Sequence, residues 1–314
     1  MIGIAAKQGR PLRYADLLMT QRVVVFGCLG QLGVELMHEF AARGYEVKGY
    51  DRDDGDITDP ARVEQVVAEA DPAIVVNAAA YNMVDVAEAE PEFALKINGL
   101  AVRNLAIAAR QVDAVLVHYS TDYVFDGRAG RPYVETDAPH PLGAYAVSKL
   151  VGELYAQAYL EQPLIIRTSG VFGPGALKTN RGNFIETMLR LAKSGNPIRV
   201  VEDHVASPTY APALALTTVE LVTRNVTGIV HAGGGMPISW YEFARKIFAA
   251  AGLNPELQPT TDRGYRTAAR RPKFSALKNQ RLDEMGSTPM PDLDEAIRDY
   301  LTRTGRAGLK SRAD

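Results

Sequence analysis

A glycine-rich turn near the N-terminus constrains the fold of this chain more than any other feature. Residues 23–26 are a short apolar run typical of a buried parallel strand, and the sequence G-C-L-G-Q-L-G follows directly at residues 27–33. Apolar residues then recur at helical spacing up to Gly44, and residues 45–50 have the pattern of a second strand, which ends at Asp51. The pattern predicts a βαβ unit, the first building block of a doubly wound parallel sheet.

The same turn predicts a dinucleotide site. Without Cβ atoms at Gly27, Gly30 and Gly33, the backbone can approach a pyrophosphate, and the helix that follows offers its unpaired N–H groups. Asp51, at the end of the second strand, is suited to accept hydrogen bonds from the adenosine ribose of NADH. Its neighbour Arg52 is suited to the 2′-phosphate of NADPH, so the sequence leaves both cofactors open.

Composition excludes several classes of protein. The 314 residues are 46% hydrophobic and 23% charged, as in an ordinary globular protein, and a net charge of −2 offers no basic field for nucleic acid or an anionic membrane. No apolar run reaches the roughly 18 residues of a membrane-spanning helix. The single cysteine, Cys28, allows no intramolecular disulfide and favours a reducing, cytoplasmic location; we interpret it as a small turn residue rather than a reactive thiol. The five histidines form no zinc-binding pattern, so no metal site is predicted.

Strand-like and helix-like segments alternate along the rest of the chain, which predicts an α/β fold. We expect a Rossmann-type doubly wound parallel sheet with a smaller C-terminal α+β substrate domain. The NAD(P)-binding domain is expected at residues 21–170, with returning elements around 205–232, and the substrate domain at 171–204 and 233–303. Residues 1–20 are predicted to be a loose N-terminal extension: either Met19 is the native start, or residues 1–18 are a loose extension of the native chain. Residues 304–314 are predicted to be a frayed tail.

Two segments carry open alternatives. Residues 77–81, N-A-A-A-Y, end a strand, and their small side chains either pack closely or leave room for a flat ligand. Asn98 lies within a helical pattern over residues 92–111. It is either merely tolerated there or holds a backbone distortion or a water beside the cofactor.

A proton-transfer site is predicted from three further residues. The strand at residues 114–119 delivers Thr121 at its carboxyl end, which is where ligands bind in doubly wound sheets. Tyr145 and Lys149 are four residues apart on one helix, so their side chains lie on the same face. A cationic lysine lowers a tyrosine pKa from its usual value of about 10, which suits Tyr145 to donate a proton during carbonyl reduction. Tyr-x-x-x-Lys also occurs by chance in helices; its place after the glycine turn and Thr121 favours function.

Together these motifs resemble those of the extended short-chain dehydrogenase/reductases and, within them, the dTDP-4-dehydrorhamnose reductase group. The resemblance covers nearly the whole chain from residue 21. Besides the glycine turn and N-A-A-A-Y, it rests on V-D-x-A-E at 84–88, H-Y-S-T-D-Y-V-F-D-G at 118–127, Y-A-V-S-K at 145–149, R-T-S at 167–169 and A-R-R-P at 269–272.

The resemblance implies NAD(P)H-dependent reduction of the 4-keto group of a dTDP-4-dehydro-6-deoxy sugar, with dTDP-4-dehydro-L-rhamnose and dTDP-L-rhamnose as the expected substrate and product. It implies Tyr145 as the general acid, Lys149 and Thr121 as its partners, and Asp122 near the sugar. A homodimer is expected, because members of the family are often dimers. The residues implied to line the cofactor are Gly30, Gln31, Leu32, Asp56, Ile57, Ala78, Ala79 and Ala80.

The chain departs from the family pattern at two positions. Many of these reductases have R-T-S-W, with the tryptophan near the sugar, but here Gly170 follows R-T-S, so the shape of the sugar pocket is expected to differ. Val86 stands where the resemblance suggests a lysine. Arg270 and Arg271 are candidates for binding the nucleotide diphosphate; the alternative is a solvated basic pair.

Two other functions fit parts of the pattern. A nucleotide-sugar dehydratase of this type would have a second carboxyl directly after Asp122, where this chain has Tyr123, so dehydration is disfavoured; a 4-epimerase would retain Tyr145 and Lys149. The chain also resembles the non-catalytic regulatory β subunit of methionine adenosyltransferase. Retention of both Tyr145 and Lys149 favours an enzyme.

Overall fold

The computed structural model describes residues 21–178, 182–264 and 267–307. The predicted extension, the proposed start at Met19 and the last seven residues of the predicted tail, 308–314, lie outside these ranges. The strands are β1 (Arg22–Phe26), β2 (Glu46–Tyr50), β3 (Ile74–Asn77), β4 (Val115–Thr121), β5 (Leu164–Thr168), β6 (Ile198–Val201), β7 (Val205–Ala206), β8 (Gly228–His231), β9 (Ile238–Ser239) and β10 (Leu257–Thr260).

A six-stranded sheet in the order β2-β1-β3-β4-β5-β8 forms the centre of the molecule, and all of its neighbouring strands pair in parallel. The strand order reverses between β1 and β3, so the crevice outside the carboxyl ends of these two strands is where such a sheet binds ligands. The four central strands β1, β3, β4 and β5 are almost entirely buried and mainly apolar, as expected for a sheet covered on both faces, whereas the edge strand β2 is partly exposed.

Helices cover both faces of the sheet. The α-helices of the described residues are α1 (Gln31–Ala42), α2 (Pro60–Ala70), α3 (Pro91–Leu95), α4 (Ala101–Gln111), α5 (Ala144–Tyr159), α6 (Phe184–Ala192), α7 (Ala211–Thr223), α8 (Trp240–Ala251), α9 (Gln280–Glu284) and α10 (Leu293–Arg303). Helices α1 and α7 bury residues such as Leu36 and Leu214 on one face. Helices α2, α4 and α5 bury Val63, Leu105 and Ala156 on the other. The doubly wound fold is therefore confirmed.

A separate apolar cluster joins α6, α8 and α10 with β6. Phe243, Ile247, Ile297 and Tyr300 are buried in it. Two small sheets accompany the cluster: β10 pairs in parallel with β6, and β7 pairs antiparallel with β9. The predicted domain boundaries at residues 170, 204 and 232 stay predictions.

The helix predicted over residues 92–111 is distorted. It consists of α3, a π-helical turn at Lys96–Leu100 and α4, and Asn98 lies in the π-helical turn. Single π-helical turns often mark functional sites, because they rotate the side chains that follow them. Among the described helices, none is both long and apolar enough to cross a membrane.

Candidate active site

A large cavity lies at the carboxyl ends of the sheet strands. Its volume is about 1870 Å³, whereas a pocket for one small molecule has roughly 300–1,000 Å³. The cavity therefore has room for two ligands side by side. Apart from Gly33, all residues predicted for cofactor, catalysis and substrate line it: Gly27, Gly30, Gln31, Leu32, Asp51, Arg52, Asp56, Ile57, Ala78, Ala79, Ala80, Thr121, Asp122, Tyr145, Lys149, Gly170, Arg270 and Arg271.

The glycine turn has the geometry of an anion site. Helix α1 begins at Gln31, and its N-cap residue Gly30 provides no side-chain cap, so the first N–H groups of the helix are left without a side-chain acceptor. No acidic residue lies in the first turn of α1 to oppose a phosphate. Gly27 has a φ of +77°, and a Cβ there would lie 2.6 Å from the backbone nitrogen of Ala79. This close approach brings the turn against residues 78–80, on the wall of the same cavity.

Gly33 lies beneath the turn rather than in the cavity wall. A Cβ at this position would lie 2.1 Å from the carbonyl oxygen of Gly27, so the missing side chain lets α1 pack directly on the turn. This packing explains the glycine without a contact to a cofactor.

Asp51 and Arg52 lie beside this turn at the end of β2. The Asp51 carboxylate accepts hydrogen bonds from the backbone N–H groups of Leu29, at 3.2 Å, and Arg52, at 2.8 Å. It therefore ties the end of β2 to the glycine turn. The exposed Arg52 guanidinium makes no hydrogen bond or ion pair with another described residue and is available to an anion.

The end of β4 places Thr121 in the cavity wall. The Thr121 hydroxyl accepts a hydrogen bond from the Tyr123 N–H at 3.2 Å and donates to the Asp122 carboxylate at 3.2 Å. On the adjacent strand, Thr168 pairs in register with Thr121 and also lines the cavity. The Thr168 hydroxyl oxygen is buried and has no hydrogen-bond partner in the part of the chain that the structure describes. A ligand bound at these strand ends would lie beside the hydroxyls of both Thr121 and Thr168.

Asp122 is buried, with 2% of its surface exposed. Its carboxylate accepts hydrogen bonds from the hydroxyls of Ser169, at 2.9 Å, and Ser275, at 2.5 Å. Burial raises its pKa to about 6, although these hydroxyls act in the opposite direction. The carboxyl group thus joins the ends of β4 and β5 to the segment around Ser275. The predicted contact of Asp122 with the sugar stays a prediction.

Tyr145 and Lys149 lie on α5 and line the cavity beside Thr121. The Tyr145 ring is half-buried and packs edge to face against Tyr123, and its hydroxyl donates to the Asn82 side-chain oxygen at 3.5 Å. The Lys149 ammonium is buried and donates to the carbonyl oxygen of Tyr119 at 2.6 Å. Burial lowers the Lys149 pKa to about 8, against the opposing effect of the Glu153 carboxylate.

Glu153 belongs to a buried polar network that the sequence did not indicate. Its carboxylate forms a two-point ion pair with Arg167, with distances of 2.9 Å and 2.7 Å, and accepts a hydrogen bond from the Ser120 hydroxyl. Both partners of the ion pair are almost fully buried. Ser120 directly precedes Thr121 on β4, and Glu153 follows Lys149 by one helical turn on α5. The network therefore joins α5 to β4 and β5.

Asn98 connects the π-helical turn to the cavity wall. Its side-chain oxygen accepts from the Tyr81 N–H at 2.8 Å, and its amide donates to the Tyr81 carbonyl at 2.9 Å and to the Ser148 hydroxyl at 3.0 Å. Of the two alternatives for this residue, the structure shows the distorted backbone. Asn98 thereby links residues 78–81 to α5, the helix that carries Tyr145.

The two arginines of A-R-R-P differ in their contacts. Arg271 forms an ion pair with Asp85, with distances of 3.0 Å and 2.7 Å, and donates to the Thr267 hydroxyl at 2.6 Å. Arg270 is exposed and lines the cavity without an ion pair to a described residue. Arg271 therefore joins two segments that line the cavity, V-D-x-A-E and A-R-R-P. Arg270 is the cation with fewer contacts to the protein. Binding of a diphosphate by either stays a prediction.

Gly170 also lines the cavity, two residues beyond Thr168. It has a φ of +49°, and a Cβ there would lie 3.1 Å from Cη2 of Trp240, the first residue of α8. The side chain expected at this position is thus missing, and an aromatic ring from a distant part of the chain lies against the gap. Sequence reasoning missed Trp240, because nothing in its local pattern distinguishes it from an ordinary core residue.

One group of possible metal ligands occurs in residues 21–178, 182–264 and 267–307. Single ligand atoms of Asp203, His204 and Asp262 lie within 4.8 Å of one another. The Lys273 ammonium contacts Asp203 at 3.0 Å and Asp262 at 3.3 Å. The two carboxylates therefore already have a cationic partner, which explains their proximity without a metal.

Comparison with known proteins identifies the family. The pattern that defines the RmlD substrate binding domain matches residues 21–306. The chain belongs to this family. It is 39% identical to the dTDP-4-dehydrorhamnose reductase of Escherichia coli, covering 89% of this chain and 96% of that protein. It is 37% identical to the spore coat polysaccharide biosynthesis protein SpsK of Bacillus subtilis, covering 91% and 99%.

A solved structure supports the same assignment. The dTDP-4-dehydrorhamnose reductase of Bacillus anthracis, determined in complex with NADP, superposes with a TM-score of 0.86 at 36% identity, covering 91% of this chain and 100% of that one. The resemblance inferred from the motifs is confirmed. The RmlD family match begins at residue 21, just before β1, and extends through the glycine turn and A-R-R-P to just beyond α10.

Proposed function

We propose that this chain reduces the 4-keto group of dTDP-4-dehydro-L-rhamnose to give dTDP-L-rhamnose, with NADPH or NADH as the reductant. The observation that carries the proposal is the placement of Thr121, Tyr145 and Lys149 on the wall of one cavity with the glycine turn. Membership in the RmlD family and two similar proteins named dTDP-4-dehydrorhamnose reductase support it. The cavity volume, sufficient for a dinucleotide and a nucleotide sugar together, is also in accord.

The residues present fit a dinucleotide. The uncapped N-terminus of α1 suits the pyrophosphate, and the small residues Ala78, Ala79 and Ala80 leave room for a flat ring. The free guanidinium of Arg52 suits a 2′-phosphate, which favours NADPH. When bound, the reduced nicotinamide supplies the hydride.

The chain's own residues handle the proton. The Thr121 hydroxyl turns its proton from the Asp122 carboxylate to the carbonyl oxygen of the substrate, and the Tyr145 hydroxyl also donates to that oxygen. Tyr145 then transfers its proton as negative charge develops there. The buried Lys149 ammonium, held in place by the Tyr119 carbonyl, stabilises the phenolate that remains. This role requires Lys149 to be protonated.

The test is a spectrophotometric assay of NADPH and NADH oxidation with dTDP-4-dehydro-L-rhamnose. Tyr145→Phe should lower kcat by about 10²–10⁴-fold, the usual contribution of a general acid, without changing cofactor affinity. Tyr155→Phe removes a hydroxyl from the same helix outside the cavity lining and should match the wild type. Unimpaired turnover by Tyr145→Phe would refute the mechanism, and an inactive wild type would refute the substrate.

The same assay separates the alternatives. A reductase consumes one reduced cofactor per sugar, whereas a 4-epimerase shows no net consumption. A regulatory subunit that only binds NADP would bind the cofactor and turn over nothing. A cytoplasmic location, which the single cysteine favours, and a homodimer, which the resemblance implies, complete the proposal.

A further inference from the structure

The cavity wall beside the strand end of Thr121 is bare backbone at Gly170. Thr168 pairs in register with Thr121, and its buried hydroxyl makes no hydrogen bond to any residue that the structure describes. Gly170 follows two residues later. Both residues line the cavity. An unsatisfied polar group beside an open stretch of backbone indicates a place where a ligand, rather than the protein, completes the packing.

Trp240 is the large aromatic residue that borders this gap. The edge of its six-membered ring is 3.1 Å from the position that a Cβ of Gly170 would occupy, and Trp240 also lines the cavity. Its ring is half-buried and packs edge to face against Phe184, with centroids 4.8 Å apart. The indole N–H makes no hydrogen bond to a residue within the described ranges.

Several backbone contacts fix the position of Trp240. Its N–H donates to the His204 carbonyl at 3.2 Å, and Ser239 caps the helix that Trp240 begins, accepting from the Glu242 N–H at 3.1 Å. The preceding strand β9 pairs with β7. The ring is therefore presented to the cavity by a rigid corner rather than by a loop, so it can act as a preorganised binding surface.

We infer that Trp240 forms the aromatic wall of the sugar pocket and determines how the hexose of the nucleotide sugar is held. This inference rests on the proposed function and extends it to a residue 70 positions from Gly170 in the sequence. The face of the indole packs on the apolar side of the sugar ring, and the indole N–H donates a hydrogen bond to a sugar hydroxyl. The hydroxyls of Thr121 and Thr168 lie at neighbouring strand ends on the wall of the same cavity.

The chain offers a direct probe, because Trp240 is its single tryptophan. Intrinsic tryptophan fluorescence therefore reports on this wall alone. With NADP⁺ present, titration with dTDP-L-rhamnose should change the emission of the wild-type protein at saturation, whereas dTDP should bind with a much smaller change. Isothermal calorimetry measures the affinity of both ligands independently of the fluorescence.

Variants provide the second arm. Trp240→Ala should bind dTDP-L-rhamnose about 10-fold or more weakly, as is usual for loss of an apolar pocket contact, yet bind dTDP and NADP⁺ as the wild type does. Trp240→Phe should retain part of the affinity. Tyr241→Ala truncates an aromatic side chain one residue further along α8, outside the cavity lining. It should leave the affinities for dTDP-L-rhamnose, dTDP and NADP⁺ unchanged.

The outcomes are distinguishable. If dTDP-L-rhamnose binds without altering the emission and with equal affinity for wild type and Trp240→Ala, the inference is overturned and the proposed function stands. If dTDP changes the emission as much as the sugar nucleotide does, Trp240 contacts the nucleotide and the inference is again overturned. If the wild type neither binds nor reduces the dTDP sugar, the proposed function fails and the inference fails with it. Should Trp240→Ala not fold, the wild-type titration and Trp240→Phe still decide.

Discussion

At the scale of single residues, burial lowers the pKa of Lys149 so far that a moderate rise in pH removes its charge. Its ammonium is almost fully buried, and the resulting pKa is about 8, below the ordinary lysine value of 10.5. A lowered lysine pKa means that the charged form is lost as the pH rises through the folded-state value. The catalytic role proposed for Lys149 is therefore present below about pH 8 and lost above it.

We expect kcat/KM of the reductase to fall as the pH rises through the Lys149 pKa of about 8, because the free enzyme then loses the ammonium that we propose stabilises the Tyr145 phenolate. Lys149→Arg stays charged across this range and should lose this alkaline decline, at a lower absolute rate. A steady-state pH profile of both proteins checks this. A wild-type profile that is flat through pH 8 would contradict the prediction, and the same decline in Lys149→Arg would assign the titration to another group.

A second prediction at the residue scale concerns the loss of stability caused by a side chain at Gly170. A left-handed φ of +49° costs an alanine roughly 1–2 kcal/mol, and the added Cβ would also lie 3.1 Å from Trp240. Gly195→Ala is a matched control, because Gly195 has a φ of +71° and nothing within 4 Å of its Cβ position. Urea unfolding should show a larger loss of stability for Gly170→Ala than for Gly195→Ala. The excess should disappear in a Trp240→Ala background; an equal loss in both backgrounds would mean that the ring moves away freely.

At the scale of secondary structure, the π-helical turn between α3 and α4 serves to position the cavity wall. Asn98 makes three side-chain hydrogen bonds there, two to the Tyr81 backbone and one to Ser148. These bonds hold residues 78–81 at a set distance from α5. A regular α-helix would direct Asn98 elsewhere, because a π-helical turn inserts one residue into the helical repeat.

We predict that Asn98→Ala lowers the free energy of unfolding by about 2–4 kcal/mol, since it leaves buried partners without their hydrogen bonds. It should also weaken cofactor binding, because residues 78–81 lose their tie to α5. Asn104→Ala, on the same helical segment, removes one hydrogen bond, to the Ile57 carbonyl at 3.1 Å, and should cost less. Denaturant unfolding and NADPH titration measure both effects. Equal losses for the two variants would contradict a special role for Asn98.

At the scale of the whole molecule, the ion pair of Asp85 and Arg271 connects segments that are 186 residues apart. It joins the loop after β3 to the loop that precedes α9, and both loops line the cavity. The Arg271 side chain is 21% exposed and that of Asp85 43% exposed, so screening by solvent limits the strength of the pair. The pair is better suited to holding the cavity in one shape than to stabilising the fold.

A double-mutant cycle of Asp85→Asn and Arg271→Ala should give a coupling energy of about 1 kcal/mol in urea unfolding. Both single variants should raise KM for the nucleotide sugar similarly, if Arg271 acts by ordering the loops. Arg270→Ala tests the neighbouring free cation. An increase in KM for Arg271→Ala without one for Asp85→Asn would instead favour direct contact between Arg271 and the diphosphate.

Much of the molecule could be predicted from local sequence. The glycine turn between β1 and α1 was predicted because a short apolar run, a glycine pattern and a helical period occur in immediate succession. Thr121, Tyr145 and Lys149 were predicted because a strand end and an i,i+4 spacing determine where side chains point. Elements with weak periodicity were missed, among them the two-residue strands β7 and β9 and the short helix α9.

The sequence by itself therefore determined the doubly wound fold and the positions of the glycine turn, Thr121, Tyr145 and Lys149, since each depends on neighbours along the chain. Only the tertiary structure decided that Trp240 lies against Gly170, that Arg271 pairs with Asp85 and that Glu153 pairs with Arg167. Such contacts join residues far apart in the chain, and periodicity carries no information about them. They arise when helices and loops close around the cavity, because packing and charge pairing act through space rather than along the sequence.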